Sequence, residues 1–502
     1  MMTPAYLRFT SDLGNEYLYD DCSSAILPWG DDYDAILKQV LGFPLTQSES
    51  KLISSLPSRS VESKRRFIEA QRKRYGAFVR DSGSSFVSPP PEDLERLIWA
   101  NNSVLVMNVT ESCNLRCKYC VYASGTYSYH RGLTERRMTP DVAKEAIDWY
   151  VKSSAPQMTR NPAKRLGLSL YGGEPLLNVE LIKVVLEYCD DKYPGVFIAV
   201  LTTNGTLLTP DNAALLSKHD VAVGVSLDGP EEEHDRLRVD ESGRGSFKKI
   251  ISNLAYIKAE YPELWKKMRT ICVHDVKTNL RKVASFFEDN RESIPNASFV
   301  NRVVPANTTY YDATSEDDYA AYRAQVDDLR QKCKSVLISG EQPDGYLLGL
   351  VCSPFVAMYI RSRLMDHRNP YMTYTGACIP GFRLAVEVDG ALNICERVNG
   401  TYTIGHIREG GLNYETIKRL LEQYRDQIYG NCSGCLITRL CTLCFAGCEG
   451  NGCLKRPEAF CESEVASARN RLSDYVSILE QNKSALELTL AVGSELNRIF
   501  QA

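Results

Sequence analysis

"VLVMNVTESCNLRCKYC", residues 104–120, decides the fold. Its first seven residues read as a buried strand. Three cysteines follow at once, Cys113, Cys117 and Cys120, spaced x3 and then x2. A structural zinc site wants four ligands in a closed tetrahedron. Three local thiolates without a nearby fourth suit three irons of a four-iron cube. The fourth iron then stays open to an amine and a carboxylate of a small molecule. Zinc, or no metal at all, is the alternative for this loop taken alone.

Beyond residue 120 the pattern repeats. "LGLSLYGG" (166–173), "FIAVLTTNG" (197–205), "VAVGVSLDG" (221–229), "RTICVHDV" (269–276) and "ASFVNRVV" (297–304) read as strands, each but the last followed by a helical stretch. With the first strand they predict a parallel sheet with right-handed crossovers. Six units without a doubly wound break favour a partial α/β barrel, whose chemistry gathers in loops at the C-terminal strand ends. The three cysteines lie at that end.

The chain has 502 residues, too many for one core, so two or three domains are expected. Residues 1–90 read as a small α+β unit of short strands, then helices, ending in the linker "RDSGSSFVSPPPEDLE". The barrel takes residues 100–310, a bridging amphipathic helix 311–345, a turn-rich cysteine field 346–465, and a terminal helix 466–502. Net charge is −4 with a pI near 6.0, which disfavours a nucleic-acid grip. No apolar run reaches membrane-spanning length and no signal peptide is visible, so a cytoplasmic location is expected. Seventeen cysteines are many for a reducing compartment. Their clustering, three at 113–120 and seven at 432–461, reads as metal or iron–sulfur ligation. Cys22, Cys189, Cys272 and Cys333 fall in apparent strands or helices and read as core residues.

Cys113-x3-Cys117-x2-Cys120 after the first strand resembles the radical SAM superfamily. "YGGEP" (171–175) resembles that family's GGE motif, while "TTNGT" (202–206) and "SLDGPEEEHDRLR" (226–238) resemble its pocket-lining segments. Singly, each is also an ordinary strand-ending turn or solvated helix face. The resemblance implies that a reduced 4Fe–4S cluster on the three cysteines cleaves S-adenosylmethionine. The resulting 5′-deoxyadenosyl radical then takes a hydrogen from an unactivated carbon. It implies Tyr119 beside the adenine, Gly172 and Gly173 for close approach to the ligand, and Glu174 accepting from the amino group. Asn204, Ser226 and Asp228 would contact ribose or methionine, and Arg238 would grip the carboxylate.

"CIPGFRLAVEVDGALNIC" puts Cys378 and Cys395 around a β-hairpin turning at Asp389-Gly390. Cys432-x2-Cys435-x5-Cys441-x2-Cys444-x3-Cys448, then Cys453 and Cys461, resembles the SPASM extension with its two auxiliary 4Fe–4S clusters. The resemblance implies Cys432, Cys435, Cys441 and Cys461 for an outer cluster. An inner one would take Cys378, Cys395 and either Cys444 or Cys448. The step after Cys441 departs from the family, so the roles of Cys444, Cys448 and Cys453 stay open. The fourth inner ligand is Cys352, an open position or another group. Two zinc ribbons would use the same thiols. The N-terminal unit resembles in layout a leader-peptide recognition element, and a plain structural appendage reads nearly as well.

The resemblance thus implies a partial (βα)6 barrel with a C-terminal SPASM domain and a small N-terminal domain. It implies a maturase acting on a ribosomal precursor peptide with its leader, forming thioether crosslinks from cysteine sulfur to carbon. A reducing partner such as flavodoxin or ferredoxin is expected, with no nucleic acid and no membrane. C–C or C–O crosslinking and sulfatase maturation are the alternatives within the chemistry. A non-catalytic metal-binding peptide scaffold is the alternative outside it. No residue announces itself as catalytic acid or base.

Overall fold

The computed structural model describes residues 2–81, 89–127, 131–303, 308–352, 378–398, 402–432, 434–450 and 453–485. Parts of the expected linker and terminal helix, and the side chain of Cys352, lie outside the described residues. Six strands form the expected units: β1 (Val104–Thr110), β2 (Leu166–Gly172), β3 (Phe197–Thr203), β4 (Ala222–Ser226), β5 (Met268–His274) and β6 (Ala297–Arg302). All neighbouring pairs from β1 to β6 are parallel and lie in chain order, as a barrel segment requires. Helices α1 (Pro140–Arg160), α2 (Val179–Lys192), α3 (Pro210–Lys218), α4 (Phe247–Glu260) and α5 (Leu280–Asp289) return the chain.

The alternation of β1 sorts its faces. Leu105, Met107 and Val109 join the main core against the helices. Val104 and Val106 face the other way, into a small cluster with Ala385 and the partly buried Tyr171. Side-chain period two therefore gives the sheet an outer face under helices and an inner face that lines the barrel.

The sheet does not stop at β1. Strand β7 (Arg383–Val386) pairs with it in parallel, Arg383 opposite Val104 through Val386 opposite Met107. Strands β8 (Ala391–Asn393), β9 (Thr403–His406) and β10 (Gly411–Leu412) continue antiparallel, so ten strands form one sheet. The expected hairpin is present, with Val386 opposite Leu392 and Gly390 at φ 99° in its turn. Sequence reading gave the cysteine field its own domain. Its first hairpin instead caps the exposed edge of β1, which removes an open edge, and the antiparallel return carries Cys395 back to the level of Arg383, which pairs with the neighbouring Glu396.

The N-terminal unit is a three-stranded antiparallel sheet of Tyr6–Thr10, Glu16–Asp20 and Ile26–Pro28 with helices Asp31–Leu41, Gln47–Ser55 and Ser58–Tyr75. Both sheet faces are covered. Leu18 and Trp29 pack with Ile36, Leu37 and Ile68 of the helices. Leu7, Phe9 and Tyr19 pack on Ile437 and Leu440 of the cysteine field and on Leu472 and Val476. The last two belong to the terminal helix α8 (Glu458–Gln481), which begins before the expected boundary at residue 466; α6 (Glu316–Ile338) bridges and α7 (Tyr414–Gln427) precedes the cysteines.

An ion cluster ties these parts. Asp474 of α8 accepts from Arg330 at 2.6 Å and from Lys334 at 3.2 Å, and Lys334 also pairs with Asp12. The Lys334 and Asp474 side chains are only 4% and 3% exposed. Removing one member of a buried pair strands the other charge. Asp474→Ala is expected to cost about 3 kcal/mol, read as a lower urea midpoint in near-UV circular dichroism.

Candidate active site

The three cysteines occupy the loop after β1, at the C-terminal sheet end. Cys117 C=O accepts from Cys120 N–H at 3.1 Å, curling the loop so the thiols share a turn. Backbone N–H groups point at sulfur: Leu115 to Cys113 Sγ and Tyr122 to Cys120 Sγ, both 3.4 Å. Such donors suit a thiolate. Burial pushes the Cys113 thiol up to about 11 and Cys117 up to about 12. Both are raised further by neighbouring thiol sites, Cys120 among them, so the three lie within electrostatic reach of each other. A bound cationic cluster would hold them deprotonated. Among the described residues, no three His, Cys, Asp or Glu side chains converge as ligands of a single ion would. A cube asks for a wider spacing, because each thiolate binds its own iron.

The GGE turn is pressed onto this loop. Gly173 N–H donates to Thr110 C=O at 2.9 Å and Glu174 N–H to Ser112 C=O at 2.8 Å. A Cβ on Gly172 would meet Thr110 O at 2.3 Å, and one on Gly173 would meet Ser112 O at 2.2 Å. The close approach that demands glycine is therefore chain to chain, where sequence reading had it chain to ligand. Glu174 is buried, and its carboxylate accepts from Thr203 Oγ1 and Asn204 N–H at 2.7 Å and from Leu176 N–H at 3.1 Å. Burial lifts it to about 7 against those three donors. Three of its roughly four acceptor sites are thus used within the protein.

Asn204 binds across the pocket, donating to Asn114 Oδ1 at 2.8 Å and accepting from Thr206. Asp228 gathers three donors: Arg238 Nε at 2.7 Å, Tyr119 hydroxyl at 2.9 Å and Val273 N–H at 2.8 Å. The Arg238 guanidinium stands 5.3 Å from the Tyr119 ring centroid. Tyr119, Asp228 and Arg238 thus form one buried unit beside Cys117, whose thiol feels both charges. Ser226, at the end of β4, is buried nearby in sequence and fold.

Sequence reading missed the residues that hold Asn204 and this unit. Asn114 sits inside the cysteine motif, where the ligand pattern drew the attention. His234 is fully buried; its Nδ1 accepts from Asp228 N–H at 3.2 Å, so its Nε2 donates to Ser246 Oγ at 2.9 Å. Ser246 in turn donates to Arg238 C=O at 3.1 Å. The "HDRLR" run was legible as a motif, but only the fold turns its histidine inward.

In the cysteine field, burial pushes Cys432 up to about 11, reinforced by Cys435 and Cys461. Burial pushes Cys441 up to about 12, with Glu464, Cys435 and Cys432 adding to it. Those four cysteines lie together. Cys395, raised to about 12 by burial, feels Glu396 and Cys444. Cys448 is raised by burial and by Cys444, Cys441, Cys461 and Cys432, so it stands between the two groups. Cys378 and Cys453 are exposed. Cys189, Cys272 and Cys333 are buried core residues; Cys22 is buried too, in a turn rather than a strand. No helix among the described residues is long and apolar enough to cross a membrane.

Residues 107–279 match the profile of the Radical SAM superfamily. The chain is 24% identical over 381 residues to the cysteine-type anaerobic sulfatase-maturating enzyme of Clostridium novyi, covering 72% of this chain and 92% of that protein. It is 31% identical over 156 residues to the radical SAM cyclopropyl synthase TigE of Paramaledivibacter caminithermalis, covering 30% of this chain and 31% of TigE. The solved structure of anSMEcpe with bound AdoMet and a Cp18Cys peptide superposes with a TM-score of 0.54 at 20% identity, over 78% of this chain and 99% of that one. That likeness establishes the fold.

The His234 imidazole is held down at about 4 by burial. A base depressed from about 6.5 contributes stability that is full above that pH and lost as pH falls toward 4. Wild-type protein is expected to lose on the order of 3 kcal/mol from this group across that window. His234→Asn should show a flatter stability-versus-pH curve by chemical denaturation between those limits.

Proposed function

We propose that the chain is a radical SAM enzyme of the SPASM-containing maturase class, and that it matures a ribosomally made precursor peptide by joining a cysteine sulfur to a carbon of another residue. Its cofactors are S-adenosylmethionine and 4Fe–4S clusters. When bound, they supply a 5′-deoxyadenosyl radical that removes a hydrogen from the substrate. The protein's own task is to bind, orient and exclude water.

The observation that carries this reading is the shared strand-end site of Cys113, Cys117, Cys120, Asn204, Asp228 and Arg238. In it, Arg238 commits Nε to Asp228 and leaves its planar fork of two terminal nitrogens for a carboxylate. Asn204 and Ser226 line the approach, and the Tyr119 ring offers an apolar face. We assign the outer auxiliary cluster to Cys432, Cys435, Cys441 and Cys461. We assign Cys378, Cys395 and Cys444 to the inner one, whose fourth position suits a substrate thiolate.

The N-terminal unit is read as the leader-binding element. In the ladder between Glu16–Asp20 and Ile26–Pro28, Trp29 N–H bonds Glu16 C=O and Asp20 N–H bonds Ala25 C=O. That phase turns the N–H and C=O of Ile26 to the free edge, as β-strand addition requires. Beside it, helix Ser58–Tyr75 carries seven Lys or Arg against two Glu, in a chain of net charge −4.

A second reading, sulfatase maturation, draws on the 92% coverage of the clostridial relative. Product mass separates the two. After co-expression with a candidate cysteine-containing precursor, a thioether removes two hydrogens per crosslink and keeps sulfur. Conversion of cysteine to an aldehyde loses sulfur. An unchanged peptide mass counts against both for that peptide. Cys117→Ala should abolish anaerobic cleavage of S-adenosylmethionine by the reduced protein. Retained cleavage would defeat the cofactor assignment.

A further inference from the structure

Two adjacent acids, Asp20 at the end of the second N-terminal strand and Asp21 at the start of the turn after it, are both completely buried. They face opposite ways. Asp20 serves its own unit, accepting from Phe78 N–H at 2.9 Å and from Ser23 N–H at 2.9 Å. Asp21 reaches into another part of the molecule. Its Oδ1 accepts from Arg439 N–H at 3.0 Å, and its Oδ2 accepts from the Thr438 hydroxyl. Arg439 also donates from Nη1 to Ser24 Oγ at 3.1 Å. Thr438 and Arg439 lie in the five-residue step between Cys435 and Cys441. The rest of that step is anchored too. Ile437 and Leu440 pack against Leu7, Phe9 and Tyr19 of the N-terminal sheet.

We infer that Asp21 is a positioning residue for the outer auxiliary cluster, holding the Cys435–Cys441 loop through Thr438 and Arg439 and adding a buried negative charge beside it. This rests on the assignment of Cys432, Cys435, Cys441 and Cys461 to that cluster. Two physical effects follow. The loop that presents two ligands is clamped by a unit more than four hundred residues away in sequence, so N-terminal unit and cluster are mechanically joined. A fixed carboxylate in a water-excluded setting also disfavours the reduced, more negative cluster and lowers its potential.

The test is EPR-monitored reductive titration of the full-length, iron-loaded protein. Asp21→Asn keeps the shape and removes the charge. One auxiliary signal should move to a more positive midpoint, while those of the other auxiliary cluster and the Cys113–Cys120 cluster stay in place. Thr438→Val keeps the carboxylate and removes one clamp donor; it should leave that midpoint nearer wild type and broaden the same signal. Selective loss of a single four-iron cluster in Asp21→Asn, with an unchanged far-UV circular dichroism spectrum, also supports positioning. Full iron content with every midpoint and line shape unchanged in Asp21→Asn overturns the inference. If the double variant Cys435→Ala/Cys441→Ala retains all three clusters, the ligand assignment fails instead.

Discussion

The contact on which the site depends is the stacking of the turn after β2 onto the loop after β1. Gly173 and Glu174 each donate a backbone N–H to the neighbouring chain, at Thr110 and Ser112. No side chain fits between, because a Cβ at Gly172 or Gly173 would lie 2.3 or 2.2 Å from a carbonyl oxygen, far inside van der Waals contact. The Cys113 end of the cysteine loop is thereby held at one height above the sheet. Glu111 N–H adds a bond to Arg136 C=O at 3.0 Å on the other side. Everything chemical in the molecule is arranged around that fixed loop. Asn204 reaches it from β3, and the Tyr119–Asp228–Arg238 unit reaches it from β4.

The polar unit beside Cys117 shows how a buried charge is kept usable. Asp228 and Arg238 are both nearly inaccessible, and an isolated ion there would be costly. Their mutual bond, the Tyr119 hydroxyl and the Val273 N–H satisfy the carboxylate. His234, held neutral by burial, orients the Asp228 backbone without adding a third charge. Arg238 is thus aimed by a partner that occupies one of its nitrogens, which leaves its fork directed by the fold rather than by solvent.

The cysteine field is joined to the barrel on one side and to the N-terminal unit on the other. Strand β7 extends the barrel sheet, and the main hydrophobic core runs unbroken from the barrel helices to Leu384, Ile404, Leu421 and Cys448. The N-terminal sheet rests on the Cys435–Cys441 step and on α8, with Lys334, Asp12 and Asp474 closing the junction. The N-terminal unit and the cysteine field therefore share a buried face.

Strand-helix alternation and the spacing of Cys113, Cys117 and Cys120 were enough to read a parallel barrel with an iron–sulfur loop at its functional end. Both are local patterns: period two against period 3.6, and thiols close enough in sequence to share a turn. The hairpin at Asp389-Gly390 was legible for the same reason, since turn chemistry is set by neighbours. What the hairpin pairs with was not, because strand addition is decided by which edge stands open in three dimensions. The glycines of "YGGEP" could be marked but not explained, as their constraint comes from Thr110 and Ser112, some sixty residues earlier. Nothing in the sequence sets Asp21 apart, and only the tertiary fold buries it against Arg439. Local sequence determined the elements and marked the candidate ligand residues. The packing of distant segments decided which carboxylates are buried, which donors they meet and how the cysteine loops are held.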